Sequence, residues 1–160
     1  MRTYGDLTEN QIAAAEKCIA KRDAARIAAT ERKENAPEVD VSKIEASFAT
    51  AIENGIKRPK LRLADFLFSL APASGKNAGA IYVKEGETYL GKIAASKFIC
   101  SRECDDDRKA KVVDVASDPA AAAKAFGLRT GSCSCCGRTL TDGTSIDLGI
   151  GPICASKYGW

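Results

Sequence analysis

Apolar and polar positions follow two different periods along this chain, and the change of period divides it. Over residues 8–34, Ile12, Ala15 and Ile19 recur at helical spacing, which predicts a helix. Thr8 with Gln11 three residues later matches a capping box at its start. Beyond Arg22 the stripe dissolves into Ala, Arg, Lys and Glu. Such a segment forms by propensity and has little to bury. It reads as a solvated helix packed by its first half, with an arm that docks on a partner as the alternative. Residues 35–40 read as a linker. A second helix is predicted over 41–54, with Ile44, Phe48, Ala51 and Ile52 on its apolar face and Gly55 as the stop.

The period then shortens. Leu61, Leu63, Phe66, Phe68 and Leu70 alternate as in a strand, with an irregularity near Asp65. After a Pro/Ser/Gly/Asn loop over 71–79, residues 80–84 and 88–93 read as strands joined by a hairpin at Glu85-Gly86-Glu87, and 97–100 as one more. Helical character returns over 105–115. Asp118-Pro119 opens an Ala-rich helix that Gly127 is expected to close. The fold class expected is α+β: a small antiparallel sheet with flanking helices, followed by a C-terminal zinc-bound module. The domain boundaries expected are 1–40, 41–127 and 128–160.

Composition narrows the chemistry. The 160 residues are 28% charged with a net charge of +3, too small to name a partner. The basic run Lys57, Arg58, Lys60 and Arg62 and the acidic run Asp105–Asp107 are more telling. There is no histidine, which removes the commonest general base and catalytic zinc ligand and argues against an enzyme. Aromatics are only 6%, so a modest core is expected, and metal binding would then matter to stability. No stretch is apolar enough to span a bilayer and no signal peptide is recognisable, so a cytoplasmic protein is expected.

Four of the seven cysteines fall in one short C-terminal segment, a pattern that favours metal over disulfides in a reducing compartment. Cys133 and Cys136 have the C-x-x-C spacing and Gly137 follows directly, as in a zinc knuckle. Cys154 arrives eighteen residues after Cys136, behind Gly151-Pro152. Pro152 suits the first position of a short helix, which puts Cys154 in the first turn. Knuckle plus helix start predicts a treble-clef-like Zn2+ site, with a hairpin over 138–146 turning at Asp142-Gly143. The position one turn after Cys154 is Lys157, so the fourth ligand is open among Cys135, Cys104, Cys100 and Asp142, with Cys135 favoured. A water in that place would make a catalytic-type site, but no His or Glu lies beside the motif to act as base, which leaves Asp142 and Asp147 for that role.

The tail resembles a zinc-binding, treble-clef-like or zinc-ribbon-like module of unassigned function in proteins of tailed bacteriophages. The residues that carry the likeness are Thr130-Gly131, Cys133, Cys136-Gly137-Arg138, Leu140-Thr141, Ser145-Ile146 and Gly149–Cys154. Upstream, residues 79–83 and 89–93 look like the strand pair that precedes such modules, and Leu7–Gln11 is similar to their opening helix. The resemblance covers roughly residues 60–160. It implies Cys133, Cys136 and Cys154 as ligands, a setting in the infected host's cytoplasm, and attachment to DNA metabolism.

The function expected is therefore a nucleic-acid-binding accessory protein. Lys57, Arg58, Lys60, Arg62 and Arg138 would contact phosphate, helped by scattered Lys84, Lys92, Lys97 and Arg129, while Tyr82, Tyr89 or Trp160 would stack on bases. The alternative is a protein-binding phage factor that modulates a host enzyme. A metal-dependent hydrolase ranks below both.

Overall fold

The computed structural model describes residues 7–160. They form two compact units, one ending at Asn35 and one spanning Ala36–Trp160. The first six residues of the expected 1–40 segment lie outside the described residues.

The N-terminal unit is helix α1 (Glu9–Glu34). Its start is the capping box the sequence predicts: Thr8 N donates to Gln11 Oε1 at 2.9 Å, and Gln11 N donates to Thr8 Oγ1 at 3.4 Å. No residue of α1 is buried, and Ile12 and Ile19 are 43% and 49% exposed.

The second unit begins with residues that the sequence reads as linker. Instead, Val39 N donates to Ser96 O, Phe98 N donates to Pro37 O, and Glu38 bridges to Lys97. This segment extends a sheet edge because Val39 and Val41 are apolar enough to enter the core. Helix α2 (Ser42–Glu53) buries Ile44, Phe48 and Ala51, but leaves Ile52 exposed.

Five strands follow: β1 (Lys60–Leu63), β2 (Phe66–Leu70), β3 (Ile81–Glu85), β4 (Thr88–Ala94) and β5 (Lys97–Cys100). They form an antiparallel meander in sequence order. The irregularity near Asp65 is a two-residue turn that separates β1 from β2, with Ala64 in the left-handed region at φ 53°. One sheet face is apolar: Leu61, Leu63, Phe66, Phe68, Ile81, Val83, Ile93 and Phe98 are buried. They share a single core with Ile44 and Phe48 of α2, and with residues of α3 (Asp106–Ser117) and α4 (Pro119–Thr130). Burying one face of each strand is what fixes the register, since a one-residue slip would turn the apolar row outward.

Helix α4 does not stop at Gly127. It runs one turn further to Gly131, whose φ of 64° supplies the left-handed cap. Gly127 instead lies inside the helix, where a Cβ would collide with the backbone of Gly149. The expected hairpin over 138–146 is likewise replaced. A single Ser132–Thr139 bridge is followed by the short helix α5 (Gly143–Leu148). Asp142 takes the N-cap, accepting from Ser145 N at 3.1 Å, and Gly149 closes the helix at φ 69°. Helix α6 (Pro152–Tyr158) starts at Pro152 as predicted. The architecture is thus α+β, with the cysteine segment seated on the core rather than strung behind it: Cys133, Cys135, Ile150 and Tyr158 are core members.

Candidate metal centre and the open sheet face

The Cys133–Gly137 knuckle is a tight turn. Gly137 N donates to Cys133 O at 2.9 Å, and Gly137 has a φ of 77° that a side chain would resist. The turn docks on the free edge of β1, where Arg62 N donates to Ser134 O at 2.7 Å. The Arg62 guanidinium then donates to Cys135 O at 3.1 Å and lies across Gly137. Arg62, expected on a nucleic-acid surface, is therefore a brace for the knuckle. On the other side, Ser134 N donates to Gly149 O, which joins the knuckle to the end of α5.

This scaffold brings the sulfurs of Cys133, Cys136 and Cys154 within 4.8 Å of one another. Tetrahedral zinc–thiolate bonds of about 2.3 Å place sulfurs roughly 3.8 Å apart, so the triad fits one ion with small adjustment. Gly151 N, at the start of α6, donates to Cys133 Sγ at 3.4 Å. The Cys133 thiol is held down to about 4, chiefly by a hydrogen bond from the Cys135 thiol, with help from the N–H groups of Cys136, Gly151 and Cys135. Burial pushes the Cys154 thiol up to about 12, and the nearby Cys133 sulfur adds to the effect.

Cys135, expected as fourth ligand, does not join the triad. Adjacent residues on the turn point apart: Cys136 is exposed, whereas Cys135 is buried in the core. Its thiol is raised by its hydrogen bond to Cys133 and by burial. Cys100 and Cys104 do not join either. They form a separate thiol pair beside the turn that starts α3, where Cys104 N donates to Ser101 O. Asp142 is committed to capping α5. Among the described residues, no fourth Cys, Asp or Glu completes the set.

The expected phosphate-binding residues divide into groups. Lys57 and Arg58 are exposed in the loop before β1, and Arg138 is exposed beside the triad. Arg129 is held by Asp65 and the Ala64 carbonyl. Trp160 Nε1 donates to Ser47 Oγ at 2.7 Å, so this ring closes the fold rather than facing solvent. The scattered cations, by contrast, converge. Strand register puts Arg62, Leu67, Lys84 and Tyr89 in one row, and Lys60, Ser69, Tyr82, Lys92 and Ile99 in the next, all on the face opposite the core. Lys97 lies on the same face opposite Ala94. The five strands place no Asp or Glu there; Glu38, in register with Lys97, is at its β5 rim. Tyr82 and Tyr89 meet edge to face at 5.9 Å. The signal for this face was present in the period-2 alternation, but the pairing register was needed to bring the rows together.

No helix among the described residues is long and apolar enough to cross a membrane. No curated protein and no solved structure matches the chain significantly. Residues 123–159, which run from the middle of α4 through the whole cysteine segment to the end of α6, match a family of unknown function, DUF6011.

Proposed function

We propose that this chain is a nucleic-acid-binding accessory protein whose C-terminal segment is pinned by zinc in a treble-clef-like arrangement. The open sheet face carries the reading. Lys60, Lys84, Lys92 and Lys97 share it with Tyr82 and Tyr89, and its strands contribute no carboxylate. Cations that track a backbone, with aromatic rings between them, are what a single strand needs for phosphate contact and base stacking. The zinc site supports the same surface indirectly, because the knuckle it organises holds Arg62 at the β1 edge. The likeness of the tail to bacteriophage modules supports a role in phage DNA metabolism.

The test is fluorescence anisotropy with a labelled single-stranded oligonucleotide. Binding at low salt is expected to weaken with a log–log slope of about −0.7 for each phosphate contact. A Lys84→Glu/Lys92→Glu variant should lose roughly tenfold or more in affinity. Tyr89→Ala should cost about 1–3 kcal/mol if a base stacks there. No binding at low salt to any oligonucleotide would sink the proposal.

A further inference from the structure

The three sulfurs share more than proximity. Cys133, Cys136 and Cys154 all line one groove of 560 Å³, and Cys135 does not. An ion held by the triad would therefore sit on the groove wall. The position one turn after Cys154, where a second C-x-x-C would supply a fourth thiolate, is Lys157, itself a lining residue. Among the described residues no other Cys, Asp or Glu lies within 4.8 Å of all three sulfurs, the Cys135 thiol meeting Cys133 from the core side, and the chain has no histidine.

We propose that the metal takes its fourth ligand from outside the chain, as the thiolate of a small organic thiol that enters through this groove. The inference rests on the metal reading of the triad. Size and charge both point to this ligand. The groove falls in the range of small-molecule sites, about 300–1,000 Å³, and far exceeds the roughly 30 Å³ of one water. Ile56, Leu140 and Ile153 give it an apolar wall for an aliphatic body. A divalent ion with three thiolates carries one net negative charge, and a fourth thiolate makes two. Arg138 and Lys157 in the groove offset that charge, and so does the Gly151 N–H on Cys133. A soft fourth donor also matches the three already present.

The experiment uses the full reduced chain loaded anaerobically with cobalt(II), whose visible bands report the number of sulfur ligands. One bound cobalt with a three-sulfur spectrum is expected. Titration with mercaptoacetate should shift the bands and strengthen the sulfur-to-metal charge transfer in a saturable way. Cys135→Ser should give the same starting spectrum and the same titration. Lys157→Ala, which removes the charge without adding a ligand, should weaken the thiol titration severalfold. A four-sulfur spectrum before thiol is added overturns the inference, and so do bands that mercaptoacetate does not move, even where one cobalt is bound. A chain that takes up no cobalt overturns the metal reading itself, and this inference with it.

Discussion

Two groups of cysteines in this protein each bring thiols together and differ in what the fold presents to them. Cys100 and Cys104 are four apart, half-buried and adjacent in space. Yet burial and the neighbouring Cys100 sulfur push the Cys104 thiol up to about 12, and Asp105 adds to the effect. Its sulfur contacts a carbonyl, Asp105 O. At Cys133 the surroundings are inverted: the Cys135 thiol donates to the sulfur, backbone N–H groups join it, and the thiol falls to about 4. Proximity of thiols is therefore not enough to make a metal site. The backbone must present donors rather than acceptors to the sulfur, and a third thiolate must converge on the pair. The knuckle and the start of α6 meet both conditions, whereas the turn before α3 meets neither.

The comparison breaks most sharply at the ligands. Cys154→Ser should abolish stoichiometric zinc and open the tail to proteolysis, because structural zinc contributes on the order of 10 kcal/mol to folding such modules. Cys104→Ser should keep one zinc per chain by elemental analysis. Equal metal loss in the two variants would erase the distinction between the groups.

A smaller effect tests whether packing, and not the ion alone, places the thiolates. Gly149 sits at φ 69° and a Cβ there would collide with the Ala123 carbonyl in α4. Gly149→Ala should destabilise the protein by about 3 kcal/mol in chemical denaturation and weaken zinc binding as the α5–α6 corner shifts. A stability within error of the unsubstituted chain would mean that the corner is free to relax.

The gentlest probe is pH. Metal binding requires thiolates, and Cys154 must give up a proton that it holds to about 12. Zinc affinity should therefore rise with pH throughout the range below 12. Cys133, whose thiol is held well below the usual range by the Cys135 thiol and by backbone N–H groups, adds little to that slope near neutrality. Competition with a coloured chelator across pH measures this. A flat profile near neutrality would show that Cys154 is not a ligand.

Some of this was legible without coordinates because it depends on neighbours in the chain. The capping box at Thr8, the Pro152 start of α6, and the strands over 60–100 follow from local spacing and backbone chemistry. So does the alternation that sends Lys84 and Lys92 to the face opposite Val83 and Ile93. Long-range contact settled what spacing left open. Gly127 reads as a helix stop, but its lack of a side chain serves the crossing with Gly149. Arg62 reads as a phosphate ligand, but the knuckle carbonyl of Cys135 takes its guanidinium. Cys135 reads as a ligand, yet it turns into the core. A sequence specifies which torsions and periods are cheap, whereas the direction a side chain finally faces depends on surfaces that meet only when distant segments pack together.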